Sequence, residues 1–163
     1  MQKRKDMRPH WDEVFMSTVS IYEKRVTCVY YKIAAVLGNS KTGRLISVGY
    51  NGPIRGDVHC TEVGCAKEIK GVKLPPGSNR CRGVHAEINA FLNMIYLGIK
   101  IDREEIKNTT LYISVRPCLD CTKAIINTGI KRIVYCNDYD GDNNAVSFCR
   151  KHKVKLIRFK KHA

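Results

Sequence analysis

The stretch of sequence that decides the fold, residues 110–135, reads TLYISVRPCLDCTKAIINTGIKRIVY. Its two ends, Thr110–Val115 and Lys131–Tyr135, are rich in β-branched and aromatic residues, as buried strands are. Its middle, Cys118–Thr128, is predicted to be a helix that Gly129 closes, because glycine favours the position after a helix end. A strand, a helix and a strand in this order predict a right-handed crossover between two parallel strands.

The sequence on either side extends this pattern. We predict helices at Trp11–Arg25, Ala86–Leu97 and Asn143–His152, and strands at Lys32–Leu37, Leu45–Tyr50 and Val154–Phe159. The first two strands are expected to form a hairpin, because turn-forming residues separate them. Alternating strands and helices predict an α/β fold with three layers, α/β/α, in a single domain over residues 1–163. Within it lies a cysteine-rich loop at about residues 52–83, and a loop of this length is usually functional or held by something else.

Composition and charge exclude several classes of protein. Of the 163 residues, 29 are Lys or Arg and 15 are Asp or Glu, which gives a formal net charge of +14. The longest aliphatic run, Ile33–Leu37, is far shorter than the roughly 20 residues of a membrane helix. The N-terminal residues lack the apolar stretch of a signal peptide, so we expect neither a membrane protein nor a secreted precursor. The positive charge attracts anions but does not choose between nucleic acid, a membrane surface and a nucleotide.

Eight cysteines without a secretory signal point to metal ligands or catalysis rather than to a disulfide framework. His85-Ala86-Glu87 and Pro117-Cys118-Leu119-Asp120-Cys121 each stand where a predicted helix begins. One imidazole and two thiolates are three ligands of a tetrahedral ion with one open position, which is the arrangement of a catalytic zinc site. Glu87 projects differently from His85 and can act as the acid and base that moves the proton of an activated water.

This combination, H-x-E followed by P-C-x-x-C, is the signature of zinc-dependent nucleobase deaminases. Taken alone, C-x-x-C would also fit a redox pair, half of a structural zinc site or two core cysteines. Each of those alternatives leaves His85 and Glu87 without a role. The sequence therefore predicts an enzyme that removes an amino group from a nucleobase by hydrolysis.

Further segments narrow the family. They are Arg8–Asp12, Gly49-Tyr50-Asn51-Gly52, His59-Cys60 with Gly64-Cys65, Cys81-Arg82, Arg116–Cys121 and Asn127–Tyr135. Through them the chain resembles the deoxycytidylate (dCMP) deaminases of bacteria and bacteriophages from about residue 8 to residue 159. The resemblance implies the cytidine-deaminase fold with a five-stranded mixed sheet, and hydrolysis of dCMP to dUMP and ammonia, which feeds thymidylate synthesis.

The resemblance also implies a set of site residues and partners. It implies a catalytic zinc on His85, Cys118 and Cys121, with Glu87 protonating N3 of the base and then the leaving amine. Contacts to the substrate are implied for Asn51, Ala86 and Tyr139, and contacts to an effector for Asn51 and Gly52. In the same way, the resemblance implies activation by dCTP and inhibition by dTTP, with Mg²⁺ bound to the triphosphate. It also implies a homohexamer and a cytoplasmic location, which is the host cytoplasm if the chain is viral. Two stretches near the expected effector site, Ile33–Ala35 and Pro53–Gly56, depart from the family pattern.

Four more cysteines, Cys28, Cys60, Cys65 and Cys81, precede the helix that follows His85. A structural zinc bound by these thiolates would hold the long loop in place, because a closed site contributes folding energy directly. The resemblance implies a second zinc in some family members, with ligands that match Cys28 and Cys60. His59 is an alternative ligand, and four unrelated thiols are the other interpretation. Cys136 and Cys149 are predicted to be core residues.

Two other functions remain open from the residues alone. A tRNA adenosine deaminase shares both zinc motifs and carries positive charge for RNA. A basic nucleic-acid-binding module stabilised by zinc would use the lysine-rich C-terminus. In that segment, however, Ile157 and Phe159 alternate with basic residues, as in a half-buried strand. We therefore expect nucleic-acid binding to be incidental.

Overall fold

The computed structural model describes residues 7–75, 80–139 and 143–160. Its helices are α1 (Trp11–Glu23), α2 (Cys60–Val63), α3 (Ala86–Tyr96), α4 (Arg103–Asn108), α5 (Leu119–Thr128) and α6 (Asn144–Lys151). Its strands are β1 (Ala34–Asn39), β2 (Arg44–Tyr50), β3 (Gly52–Pro53), β4 (Glu68–Ile69), β5 (Val72–Lys73), β6 (Gly83–Val84), β7 (Thr109–Val115), β8 (Arg132–Asn137) and β9 (Lys155–Arg158). Among these described helices, none is long and apolar enough to cross a membrane.

Five strands form the central sheet in the order β2-β1-β7-β8-β9. Strand β1 is antiparallel to both β2 and β7, whereas β7, β8 and β9 run parallel to one another. The predicted hairpin and the predicted crossover through α5 are therefore both confirmed. Gly129, with φ of 91°, adopts the left-handed conformation that ends α5, as its place after the helix predicted.

Helices cover both faces of this sheet, which confirms the three-layer α/β/α architecture. On one face α1 places Phe15, Met16 and Val19 against the buried Tyr112 of β7. On the other face α3, α5 and α6 pack against the sheet. That second core consists of Ala35, Leu37, Ile46, Ala86, Ala90, Leu111, Ile113, Ile125, Ile130, Ile133, Cys149 and Val154. Cys149 lies in this core, as predicted, and Cys136 is a partly buried residue of β8.

The packing of α3 on β2 is unusually close, because Gly49 lies directly under the helix backbone. A Cβ atom at Gly49 would lie 2.2 Å from the Ala90 nitrogen and 2.3 Å from the Ala86 carbonyl oxygen. The Ser47 hydroxyl adds a hydrogen bond of 2.8 Å to the Ala90 carbonyl. The sheet therefore fixes the position of the helix that carries the H-x-E motif.

The long loop is more ordered than the sequence suggested. It contains α2 and the β4–β5 hairpin, and its two ends pair with each other as β3 and β6. Residues 76–79 of this loop lie outside the described residues. Three glycines of this loop serve turns, since Gly56, Gly64 and Gly71 all have positive φ.

Two further features differ from the sequence prediction. Helix α4 has six residues, none of them buried, so it lacked the apolar periodicity that would have predicted it. On α3, helical spacing predicts one apolar face of Ile88, Phe91, Leu92 and Ile95. Ile88 and Phe91 are partly buried, but Leu92 and Ile95 are 49% and 68% accessible. The small residues Ala86 and Ala90 face the sheet instead, because the close approach at Gly49 leaves no room for larger side chains.

Candidate metal centre and active site

Two helix starts bring the predicted catalytic zinc ligands together. His85 is the N-cap of α3, Cys118 is the N-cap of α5, and Cys121 lies in the first turn of α5. The His85 Nδ1 atom is 3.3 Å from the Cys121 Sγ and 3.6 Å from the Cys118 Sγ. All three ligand atoms lie within 4.8 Å of one another.

This donor set fits a zinc ion. Zinc bonds of about 2.0–2.3 Å in a tetrahedron place two ligand atoms about 3.3–3.8 Å apart, which matches the nitrogen–sulfur distances. Imidazole nitrogen and thiolate sulfur are the ligands that zinc favours, and three of them leave the fourth position open.

The electrostatics of the two thiols fit the same role. A hydrogen bond from Cys121 and another with His85 hold the pKa of Cys118 at about 4, so this thiol is a thiolate at neutral pH. The same contact with Cys118, together with burial, raises the pKa of Cys121. The hydrogen bond with Cys118 also raises the pKa of His85. A bound cation would replace the protons that these three groups share.

Glu87 lies in the first turn of α3 and is only 4% exposed. Burial raises the pKa of its carboxyl group, against the lowering effect of its own backbone hydrogen bond and of the charge on His85. The carboxyl group also contacts the Cys121 thiol. Glu87 thus stands beside the ligand atoms, where a group that moves protons is required.

Tyr139 follows β8 and borders the same site. Burial raises the pKa of its hydroxyl group, and so does the negative charge of the Cys118 thiolate. The contact of Tyr139 with a nucleotide stays a prediction.

Arg116 holds the Tyr139 segment in place, and sequence reasoning assigned it no role. Its guanidinium group is 5% exposed, donates a hydrogen bond of 3.0 Å to the Tyr139 carbonyl and lies 3.7 Å from the Asp138 carboxylate. Since Arg116 directly precedes Pro117-Cys118, it links the segment of the zinc ligands to the segment of Tyr139. Its place beside the motif was the one signal in the sequence that could have indicated this role.

The remaining predicted substrate and effector residues lie next to the metal centre. Ala86 is fully buried beside His85, and Gly52 pairs with Val84, the residue before His85. The Asn51 side chain hydrogen-bonds the backbone of the segment before β1. Its Oδ1 accepts a hydrogen bond of 3.1 Å from the Ile33 nitrogen, and its Nδ2 donates one of 2.7 Å to the Tyr31 carbonyl. The contacts of Asn51, Ala86 and Gly52 with a nucleotide stay predictions.

The four cysteines of the predicted second zinc site are neighbours, but they do not form a compact ligand set. Burial raises the pKa of Cys60, and the charge of the nearby Arg82 opposes this rise. Among the residues that the structure describes, however, the set around His85 is the one group of three or more ligand atoms within 4.8 Å of one another. His59, the alternative ligand, is the N-cap residue of α2, directly before Cys60. The second zinc stays a prediction.

Comparison with known proteins decides the family. A family model of the cytidine and deoxycytidylate deaminase zinc-binding region matches residues 9–137. The chain belongs to this family.

Two relatives of the family show the range of similarity. The chain is 33% identical over 153 residues to a protein named deoxycytidylate deaminase of Schizosaccharomyces pombe, a match that covers 93% of this chain and 45% of the yeast protein. It is 35% identical over 133 residues to one of the same name from Mycobacterium phage D29, which covers 78% of this chain and 95% of the phage protein. The chain thus spans less than half of the yeast relative and nearly all of the phage relative.

A solved structure agrees with the fold. The crystal structure of dCMP deaminase from the cyanophage S-TIM5, in complex with dCMP and dUMP, superposes with a TM-score of 0.72. The match covers 94% of this chain and 100% of the cyanophage chain at 24% sequence identity. At this identity the similarity shows the cytidine-deaminase-like fold.

Proposed function

We propose that this chain hydrolyses dCMP to dUMP and ammonia as a zinc-dependent aminohydrolase. The observation that carries the proposal is the ligand cluster of His85, Cys118 and Cys121 with the buried Glu87 beside it. A zinc ion held there would supply Lewis-acid activation of a water molecule near neutral pH.

Each residue of the site has a distinct part in the proposed reaction. Glu87 takes one proton from the attacking water and delivers it to N3 of cytosine, and it then takes the remaining proton from the oxygen on C4 and delivers it to the leaving amine. The C4–O bond forms first and the C4–N bond then breaks, so that water and dCMP yield dUMP and ammonia. Ala86, Asn51 and Tyr139 would orient the nucleotide, and the buried position of Glu87 keeps bulk water away from the proton transfer.

The choice of dCMP as substrate is supported by the named relatives. The yeast and phage relatives are named deoxycytidylate deaminases, and the cyanophage enzyme of the same fold is described with dCMP and dUMP bound. A substrate with a phosphate also suits a chain whose formal net charge is +14.

Regulation and assembly belong to the same proposal. We infer that dCTP activates the enzyme and that dTTP inhibits it, with Mg²⁺ bound to the triphosphate and with Asn51 and Gly52 in contact with the effector. We also infer that each chain is one deaminase domain and that six chains form a homohexamer in the cytoplasm. What supports assembly is the exposed apolar end of α3, where Leu92, Ile95, Tyr96 and Leu97 are all at least 49% accessible. Light scattering of the purified protein, with and without dCTP and dTTP, tests the hexamer, and a monomer under all conditions would contradict it.

We propose that a second zinc ion stabilises the long loop. Its ligands are Cys28, Cys60, Cys65 and Cys81, with His59 as an alternative ligand. Elemental analysis of the purified protein tests this proposal, which requires two zinc ions per chain. A Cys60→Ser variant should then keep one zinc and lose the second. One zinc in both proteins would contradict the second site.

A panel of amine-bearing substrates tests the proposed activity against its alternatives. The purified protein is incubated with dCMP, deoxycytidine, dCTP and a tRNA anticodon stem-loop, and the release of ammonia is followed. Turnover of dCMP far above that of the others supports the proposal. Turnover of the RNA alone would assign a tRNA adenosine deaminase, and RNA binding without any turnover would assign the nucleic-acid-binding module.

A further inference from the structure

We propose that Lys73, held between Tyr30 and Tyr31 on the β4–β5 hairpin, binds the 5′-phosphate of the substrate and makes the enzyme prefer a nucleotide to a nucleoside. The inference rests on the proposed function. It assigns a role in substrate selection to the loop that follows the Gly-Tyr-Asn-Gly motif.

The ammonium group of Lys73 is held in a defined place. Its Nζ lies 3.9 Å from the centre of the Tyr30 ring and 4.4 Å from the centre of the Tyr31 ring. It donates a hydrogen bond of 3.1 Å to the Tyr31 hydroxyl. Two aromatic faces and one hydroxyl thus restrain a side chain that would otherwise be free in solvent.

The ammonium group retains capacity to bind an anion. A lysine carries three N–H donors, and the Tyr31 hydroxyl uses one of them. Among the described residues, no carboxylate oxygen forms an ion pair with Lys73 within 4.0 Å. The neighbouring acid, Glu68, instead accepts a hydrogen bond from the Tyr30 hydroxyl, which raises the pKa of Tyr30 to about 12.

Tyr31 connects this cation to the metal centre. Gly52 pairs with Val84, the residue directly before the metal ligand His85, and Asn51 directly precedes Gly52. Tyr31 is held there by its backbone, since its carbonyl accepts the hydrogen bond of 2.7 Å from Asn51. The contacts therefore run from the metal ligand His85 through Val84, Gly52 and Asn51 to Tyr31 and then to Lys73.

The chemistry of a nucleoside monophosphate matches this order. Its reacting carbon lies at one end of the molecule and its phosphate at the other, with the sugar between them. The phosphate monoester carries a charge of about −1.5 to −2 at neutral pH and three acceptor oxygens. The reacting end would lie beside the thiolates and Glu87 of the metal centre, so the phosphate end requires a cation at a distance from them, and we assign that part to Lys73.

The test compares two substrates that differ by the phosphate. Rates are measured with dCMP and with deoxycytidine for the zinc-loaded wild type and for Lys73→Met, which keeps the length of the stem and removes the charge. Lys73→Arg keeps the charge. The matched control is Lys70→Asn, which removes a charge from the turn of the same hairpin and suits the positive φ of 50° at that position.

We expect Lys73→Met to raise KM for dCMP about tenfold while kcat changes little, since a charged hydrogen bond of this kind is partly exposed. The kcat/KM for deoxycytidine should stay unchanged, Lys73→Arg should restore most of the affinity for dCMP, and Lys70→Asn should behave as wild type. Equal losses for dCMP and deoxycytidine would show a merely structural role and overturn the inference. An unchanged KM for dCMP would also overturn it.

Binding separates this inference from the proposed activity. In a Glu87→Gln background, calorimetry measures the affinity for dCMP and deoxycytidine with and without the Lys73→Met change, whether or not the wild type turns over dCMP. Weaker binding of dCMP alone supports the role of Lys73 even if the reaction is another one. Equal affinity for dCMP in the two variants refutes the role of Lys73 even if dCMP is the substrate.

Discussion

At the scale of single residues, Glu87 carries the proton transfer of the proposed reaction. It lies one turn or less from His85 on a helix that the sheet holds in place, and burial raises the pKa of its carboxyl group. A carboxyl group so placed can accept and return a proton without becoming a metal ligand.

Glu87→Gln should therefore keep zinc and lose activity. The amide has the same shape but cannot move a proton, so kcat should fall about 10² to 10⁴-fold. The measurements are the rate of dCMP deamination and the zinc content of the same preparation. Glu104→Gln, on an exposed side chain in the first turn of α4, is the control and should leave both unchanged. Loss of zinc from the Glu87 variant would show that Glu87 is a ligand and that its assigned role is wrong.

The sequence predicted the residues of the site that belong to short motifs, and it missed those that act through distant contacts. His85, Cys118 and Cys121 could be found because helix starts fix where ligands at such spacing point. Arg116 contacts a residue 23 positions later, and Lys73 contacts one 42 positions earlier, so no local pattern indicated either contact. Asn51 was predicted for the substrate, and the structure adds that its amide holds the backbone at Tyr31 and Ile33.

At the scale of elements, the contact between α3 and β2 positions His85 and Glu87. Gly49 permits it, because any side chain there would meet the backbone of α3 at 2.2 Å. Backbone atoms cannot turn aside as the end of a side chain can, so the helix itself would have to move.

Gly49→Ala should therefore destabilise the protein and impair the site together. Overpacking of this kind costs about 1–3 kcal/mol or more of unfolding free energy. The expected results are a lower midpoint of urea unfolding and a loss of activity at temperatures where the variant is still folded. Gly83→Ala is the control, since its added Cβ would lie 3.4 Å from the Cys81 sulfur, an ordinary contact. Wild-type activity in a folded Gly49→Ala variant would contradict the role of this contact.

A second element contact joins α1 to the sheet through an ion pair. The Asp12 carboxylate accepts hydrogen bonds from Arg132 at 2.8 and 2.6 Å and from the Tyr112 hydroxyl at 2.7 Å. Burial on its own would raise the pKa of Asp12, but the hydrogen bonds and the charge of Arg132 lower it below the usual value of 3.8.

Asp12→Asn should cost stability in a way that depends on pH. Because the pKa of Asp12 is lower in the folded state, its contribution is present above the unfolded pKa near 3.8 and is lost as the pH falls through the folded pKa. Breaking such a partly buried pair should cost about 2–3 kcal/mol at pH 7. Urea unfolding of both proteins should show a constant difference between pH 5 and pH 8 that shrinks below pH 4. A difference that stays constant down to pH 3 would refute this account.

The elements themselves were largely predictable, with two instructive exceptions. Strands β7 and β8 and helix α5 follow from buried aliphatic runs and a terminal glycine, which are local signals. Helix α4 buries no residue and depends on its cap, where the Asp102 side chain accepts a hydrogen bond of 2.7 Å from the Glu105 nitrogen. The exposed end of α3 looked like a core face because apolar periodicity does not distinguish packing within the chain from packing against a partner.

At the scale of the whole molecule, the parts of the site meet where several segments converge at one end of the sheet. The ligands come from the starts of α3 and α5, and Tyr139 follows β8. The β4–β5 hairpin carries Lys73, which contacts Tyr31 and is the proposed phosphate-binding residue. The crossover topology that places α3 and α5 side by side follows from the alternation of strands and helices. The course of the cysteine-rich loop does not, because its glycine turns and short pairings carry little sequence signal.

The net charge of +14 belongs to the molecule as a whole and favours anions of every kind. It therefore supports a phosphorylated substrate without selecting one. The selection of dCMP among other anions has to come from the metal centre at the base end of the nucleotide and from the Lys73 ammonium group at its phosphate end. Substrate choice and metal dependence must therefore be tested together.

The most direct test is the deamination of dCMP by one preparation in three metal states. The release of ammonia is measured for the zinc-loaded protein, after removal of zinc by a chelator, and after zinc is returned. We expect turnover in the first state, loss in the second and recovery in the third, with recovery complete once the site formed by His85, Cys118 and Cys121 is refilled. A zinc-loaded protein that releases no ammonia from dCMP, or turnover that is indifferent to the removal of zinc, would contradict it.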